Sequence, residues 1–246
     1  VDPVNELENL CADAWPAQFD EPLGQWRMRA AGGFTGRANS TLTTGDPGIP
    51  VADAVRSVAE FADRHGIART VHVVVGSTHE SAIADQGWAV DHEHPGGAES
   101  TVLTGPLRDF AGPKSEEVSI AAVAPTEWWE MAASAVPTAA QRHVLGSGAD
   151  VGFGAVTRDG RVVAAVRGAV VGDLLHIARL AVRPSHRRLG LARDLLAGLA
   201  SWGLAHGATY CALQVADQNL PALRLYGSLG CVEHHKYRYW VPTTGA

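Results

Sequence analysis

The chain has 246 residues, 46% of them hydrophobic and 19% charged, with a formal net charge of −6 at neutral pH. That length exceeds the usual single domain and predicts two. The acidic balance argues against a nucleic acid or an anionic membrane as a partner for the whole surface, and no apolar run reaches the ~18 residues of a membrane span.

The chain starts at Val1, without an initiator methionine, and shows no basic-then-apolar leader. Cys11, Cys211 and Cys231 have no paired spacing, which fits a reducing, cytoplasmic compartment better than a disulfide framework. The 11 histidines are scattered and none forms HExxH. His92 and His94 share a strand face but supply only two ligands, so no metal is expected.

In the N-terminal half, Glu6 to Trp15 is expected to be a helix. Gln25 to Arg29 alternates around Trp26 and Met28, as a half-buried strand does. Phe34 to Thr43 is a second expected strand, with Arg37, Asn39 and Thr41 on one face. Gly32 and Gly33, just before it, suit a turn. Val51, Ala54, Val55, Val58, Phe61 and Ala62 mark an amphipathic helix. A strand from Thr70 to Val75, a short helix from His79 to Gln86, and strands near Trp88 and Thr101 come next. Gly105 to Glu117 then mixes Gly, Pro and charge between strand-like runs, which places a domain boundary near Pro113.

The C-terminal half opens with a strand, Val118 to Val123, and a helical stretch, Thr126 to Leu145, broken near Pro137. Val151 to Thr157, Arg161 to Val171 and Leu174 to Val182 are strands joined at Asp159-Gly160 and Gly172-Asp173, both tight hairpin signals, so an antiparallel meander is expected. Pro184 stops the sheet and Ser185 can cap the next helix. That long helix, reaching about His206, should hold Arg187 to Ala192 in its opening turns, pack through Ala192, Leu195, Leu196, Leu199 and Trp202, and end at Gly207. Ala208 to Val215 is a strand. Asn219 caps a short helix with Pro221 in its first turn. That helix ends at Gly230, and Cys231 to Val241 is the last strand. Strand, helix, strand, short helix, strand thus occurs in both halves.

Two motifs carry chemistry. The first is Arg187-Arg188-Leu189-Gly190-Leu191-Ala192. Arginines at a helix start oppose the positive end of the helix dipole. They make sense when a strong anion sits between them, reached by free amides that Gly190 lets come close. The second is Asn219-x-x-Ala222-x-x-Leu225-Tyr226-x-x-x-Gly230, where Ala222 and Tyr226 share a helix face and the small residue leaves room beside the phenol.

Together, in this order, the motifs resemble those of the GNAT-superfamily N-acetyltransferases from about Val118 to Val241. The resemblance implies a mixed α/β (α+β) fold of two GNAT-like domains, each a mixed, mainly antiparallel sheet flanked by helices. Residues 1–113 would be a degenerate domain and 114–246 the catalytic one. It implies acetyl-CoA as cosubstrate, its pyrophosphate held by Arg187, Arg188, Leu189, Gly190, Leu191 and Ala192. Leu180, Ala181 and Val182 would pair with the pantetheine arm, and Asn219 and Tyr226 would complete the cofactor site. Tyr226 would also protonate the leaving thiolate. Cys231 stands where the family usually has an aromatic residue.

A neutral amine then attacks the thioester directly, and a base must take its proton. His176, on the strand before the loop, is the candidate, with Glu127 and Glu130 as alternatives and His186 as a loop contact. His235, Tyr237 and Tyr239 alternate on the last strand and are candidates to line the acceptor pocket. The N-terminal half lacks both motifs: in place of the phosphate loop it reads Gly45-Asp46-Pro47-Gly48-Ile49-Pro50, where Asp46 would repel a pyrophosphate. This half also resembles tandem-GNAT proteins, some described as N-acetylglutamate synthases. The expected partners are therefore acetyl-CoA and a small amine or amino acid, with glutamate one candidate and Arg37, Arg142 and Arg167 available for a dicarboxylate. Oligomeric state is not specified by these residues. A non-catalytic acyl-CoA sensor is the competing class.

Overall fold

The computed structural model describes residues 3–110, 112, 115–148 and 150–243. They form two compact units. Unit 1 takes the chain up to Val102, Gln214–Leu223 and the residues from Glu233 onward; unit 2 takes Leu103–Leu213 and Arg224–Val232. Pro113, the expected boundary, lies outside the described residues.

In unit 1, helix α1 (Pro3–Asp13) precedes a hairpin of β1 (Phe19–Leu23) and β2 (Trp26–Ala30). Strand β1 is absent from the sequence expectation because FDEPL shows no buried alternation. Its pairing with β2, and the fork of Arg27 on Asp20 at 2.6 and 3.1 Å, order it instead. The expected strand Phe34 to Thr43 is a correction. Gly36–Ala38 forms a 3₁₀ turn, and only Thr41–Leu42 (β3) is a strand. The Asn39 side chain accepts the amides of Ala31 at 2.7 Å and Gly33 at 2.9 Å. That local bonding competes with a ladder, so Arg37, Asn39 and Thr41 share no strand face.

Helix α2 (Val51–His65) follows, closed by Gly66 in the left-handed region. Strand β4 (Val71–Val74) then lies parallel to β3, Thr41 opposite Val71 and Leu42 opposite His72. Helix α3 (Thr78–Ala84) and strand β5 (Trp88–Val90) come next. The unit boundary passes within β6 (Glu99–Pro106). Strand β12 (Val232–Pro242) runs antiparallel to β4 and to β5. The core of unit 1 buries Trp26, Val58, Phe61, Val71, Val73, Ile83 and Trp88 between α2, α3 and the sheet.

In unit 2, β7 (Val118–Ala121) leads to α4 (Thr126–Ala132) and α5 (Ala139–Gly146). The break between these helices spans residues 133–138 and contains Pro137, and Thr138 and Gln141 form a capping box on α5. Strands β8 (Asp150–Arg158), β9 (Arg161–Val171) and β10 (Leu174–Val182) form the expected antiparallel meander. Positive φ at Asp159 and Gly160 makes the first turn, and at Gly172 the second.

Helix α6 (Leu191–Ala205) returns the chain to β11 (Tyr210–Ala216), parallel to β10. It lies close on the sheet because β9 has Gly168 beneath it: a Cβ there would meet Leu199 Cδ1 at 2.8 Å. Helix α7 (Leu220–Gly227) follows β11. Each unit thus contains one parallel strand–helix–strand element, β3–α2–β4 and β10–α6–β11, each with a 15-residue helix. Among the described residues no helix is long and apolar enough to cross a membrane.

Candidate active site

The site of unit 2 is built on β10. Its ladder to β9 holds to Ala178 opposite Arg167, slips, and resumes at Ala181 opposite Ala165. One extra residue is accommodated in a bulge, with Arg179 at φ 58°. On the other edge, β10 pairs with β11 only from Leu174 opposite Tyr210 to His176 opposite Ala212. Beyond that, the register offers Leu180, Ala181 and Val182 no β11 partner among the described residues, and the Val182 carbonyl accepts Arg187 Nε at 3.3 Å.

The strand ends at Pro184–His186, a 3₁₀ turn. The expected helix does not yet begin. Arg187, Arg188, Leu189 and Gly190 form a loop, and α6 starts at Leu191 with Gly190 as its N-cap. This corrects the placement of the arginines in the helix's first turns. Arg188 at φ 66° and Gly190 at φ 85° curl the loop, and the Gly190 carbonyl accepts the amides of Arg193 at 2.8 Å and Asp194 at 3.1 Å. The amides of Leu189, Gly190, Leu191 and Ala192 meet no backbone acceptor among the described residues, as expected at a helix start. Arg187 and Arg188 are exposed and pair with no carboxylate among the described residues. Arg183, by contrast, is committed to the Val162 carbonyl at 2.8 Å and to Glu130 at 3.4 Å. Arg187 Nε donates to the Val182 carbonyl at 3.3 Å, so the loop presents two guanidiniums without carboxylate partners beside a row of amides without backbone acceptors, an arrangement that suits an anion.

At the start of α7, in a segment that belongs to unit 1, the Asn219 carboxamide oxygen accepts the amide of Ala222 at 3.3 Å, the expected cap. Tyr226 lies two turns on and is 6% exposed. Burial pushes its phenol up, and the nearby Cys231 and Cys211 sulfurs add to the shift, so the ring keeps its proton through neutral pH. Cys231 fits where a larger side chain is usual because it packs on Gly105: a Cβ at that glycine would meet Cys231 Sγ at 3.0 Å. Cys11, Cys211 and Cys231 are all buried free thiols.

The base candidates are less accessible. His176 is fully buried in β10, level with Ala169 and Ala212. Glu127 accepts the Val162 amide at 2.6 Å, and Glu130 faces Arg183. His186 bonds Ser185 at 2.9 Å. Of the three arginines, Arg167 is fully buried and donates to the carbonyls of Leu145 at 2.7 Å and Ser147 at 3.3 Å, so it is a structural cation. Arg37 lies 4.4 Å over the Trp15 ring and donates to Gln214, both in unit 1. Arg142 is exposed, 5.6 Å from the Trp129 ring, on a cavity of about 430 Å³ that Phe153 also lines. His235, Tyr237 and Tyr239 fall in unit 1. There His235 meets Glu8 at 2.7 Å and Tyr237 stacks on His72 at 3.8 Å.

Sequence reasoning missed Trp128. Its indole donates to the carbonyls of Gly154 at 3.1 Å and Val166 at 3.2 Å and pins α4 to the sheet. Only the pair of tryptophans on a short helix hints at it.

The sequence profile of a family described as "Probable histone acetyltransferase Rv0428c C-terminal" matches residues 3–240. The chain belongs to this acetyltransferase family. It is a GNAT-superfamily acyltransferase. Among relatives of this family member, "Uncharacterized N-acetyltransferase YobR" of Bacillus subtilis (strain 168) is 25% identical over 264 residues, covering 97% of this chain and 99% of that protein. A GCN5-related N-acetyltransferase from Kribbella flavida shares the fold with a TM-score of 0.72 at 17% identity, over 99% of this chain and 96% of that one. A tandem GNAT protein from the clavulanic acid biosynthesis pathway gives a TM-score of 0.58 at 14% identity, over 77% and 68% of the two chains.

Proposed function

We propose that the protein transfers an acetyl group from acetyl-CoA to the amine of a small molecule or amino acid by direct attack. The observation that carries this reading is the loop Arg187 to Ala192: two guanidiniums without carboxylate partners beside free amides. This donor set suits a pyrophosphate. The β10 edge at Leu180, Ala181 and Val182, which no described β11 residue pairs, suits an extended amide-bearing arm, and its amides can support the oxyanion. Asn219 holds α7 in place, and Tyr226 donates its proton to the sulfur as the carbon–sulfur bond breaks. The attacking nitrogen loses a proton to water or, through a relay, to buried His176.

The chain is read as a tandem protein with its boundary near Pro113. The parallel elements β3–α2–β4 and β10–α6–β11 support this, as does likeness to a tandem GNAT protein. Residues 1–113 supply the degenerate copy. The Arg142, Trp129 and Phe153 cavity suits an acceptor bearing a carboxylate, with glutamate a candidate. The free buried thiols fit a cytoplasmic protein.

Calorimetry with acetyl-CoA, followed by thiol release across amines, amino acids and a histone-tail peptide, tests the reading. Saturable binding and turnover on an amino acid are expected. Exchanging both Arg187 and Arg188 for Glu should abolish binding. Tyr226→Phe should lower kcat about a hundredfold while sparing acetyl-CoA affinity. Unchanged kcat removes Tyr226 from catalysis, and binding that survives the double charge reversal overturns the cradle.

A further inference from the structure

We infer that unit 1 holds a second ligand cleft, where β3 and β4 diverge, and that it takes a small organic ammonium compound rather than a phosphorylated nucleotide. A cavity of about 800 Å³ lies there, within the range of small-molecule sites. The two strands pair over two positions, and the Thr43 amide still reaches the His72 carbonyl at 3.1 Å. The chain beyond Thr43 then leaves through Gly45 to Pro50 toward α2, while β4 runs on to Ser77. Thr43, Asp46 and Ile49 line one side, Val74, Ser77 and His79 the other.

The loop forming this wall is fixed. The Asp46 amide donates to Gln25 Oε1 at 2.7 Å, the Asp46 carbonyl accepts the Gln25 amide at 2.7 Å, and Trp26 Nε1 donates to the Gly45 carbonyl at 3.1 Å. Gly24 lies so close beneath Pro47 that a Cβ would come within 2.3 Å of its carbonyl carbon. The cleft is therefore preformed, which lowers the cost of binding.

Its charge is opposite to that of the unit 2 cradle. No Lys or Arg is among its described lining residues, and Asp46 is the one carboxylate. One Asp46 oxygen accepts the Gly48 amide at 2.8 Å, leaving the other for a ligand. Burial lowers the pKa of His79, against smaller opposing effects from the Gly45 carbonyl and Asp46, so the ring supplies no competing cation. With one ring nitrogen on that carbonyl, the other is an acceptor. Asp53 in the first turn of α2 already offsets the helix dipole. The Ser77 hydroxyl is enclosed with no hydrogen-bond partner among the described residues, and a turn of its side chain would present it to a ligand that satisfies it. One carboxylate oxygen, one imidazole nitrogen and one hydroxyl inside apolar walls fit an alkylammonium head and a short carbon chain.

The full-length protein should be titrated calorimetrically with 1,4-diaminobutane, with the uncharged 1,4-butanediol and, on the same sample, with acetyl-CoA. Saturable diamine binding is expected, with the diol at least about tenfold weaker, equivalent to ~1.4 kcal/mol. Asp46→Asn, which keeps the bond to Gly48, should weaken the diamine by a similar factor. Ala82→Trp, which fills the cleft, should abolish diamine binding. Both variants should bind acetyl-CoA as the parent does. No saturable diamine binding at millimolar concentration overturns the inference, as does diamine affinity unmoved by either substitution. Acetyl-CoA binding lost in Ala82→Trp also overturns it, because the cleft would then take the nucleotide. Failure of acetyl-CoA to bind the parent protein bears on unit 2 alone.

Discussion

Glu8 is 2% exposed, with His235 at 2.7 Å and His72 at 3.3 Å from one carboxylate oxygen. Burial by itself raises its pKa. The charge of nearby His72 and the hydrogen bond from His235 outweigh that and hold the carboxyl well below its ordinary range. A depressed folded-state pKa gives stability that is fully present above the unfolded value, about 4.3 for Glu, and lost as pH falls below it. Glu8→Gln should therefore cost about 3 kcal/mol near neutrality. The difference in Tm from the parent should narrow as pH falls from about 5 to about 2. A constant difference over that window would show that packing, not charge, is what the substitution removes.

At this scale the sequence is legible where function depends on neighbours along the chain. The proposed site residues Arg187, Gly190, Asn219 and Tyr226 fall on a loop and a short helix whose local pattern is legible. Glu8 and Arg167 are not legible: one reads as a helix-surface acid and the other as an exposed base, yet the fold encloses both.

Among the elements, those whose pattern and turn chemistry agree are recovered. Strand β9 spans Arg161–Val171 and β10 spans Leu174–Val182, as read, because two-residue turns fix their register. Strand β1 and the Phe34–Thr43 stretch fail for one reason: pairing partners and the side chain of Asn39 decide them, and neither appears in a local alternation.

The seating of α6 is also an element-scale property. Gly168 lets Leu199 approach β9, so Gly168→Val should cost about 1–3 kcal/mol by overpacking, read as a lower urea midpoint. A midpoint equal to the parent's would mean that the helix is free to shift. Gly190→Ala differs, because open space surrounds that position but its φ is 85°. The substitution should cost about 1 kcal/mol of backbone strain and weaken acetyl-CoA. Unchanged affinity would separate the loop's curl from its ligand.

For the whole molecule, ligand binding and stability are linked. Acetyl-CoA at about 100 times its Kd should stabilise the folded protein by ~2.7 kcal/mol and raise Tm. Added salt should reduce that gain by screening the exposed arginines. A rise insensitive to salt would argue against the charged cradle.

The sequence by itself determined the superfamily, the Arg187 to Gly190 bend before a long helix, the short helix with its tyrosine and the meander that precedes them. All are local patterns in which period, turn residue and cap agree. Only the tertiary structure decided that β12 pairs with β4, more than 150 residues away in the chain, that Glu8 meets His72 and His235, and that β3 and β4 part around a cleft. Those features depend on which distant surfaces leave water together, and burial is a property of the assembled chain that no short window of residues contains.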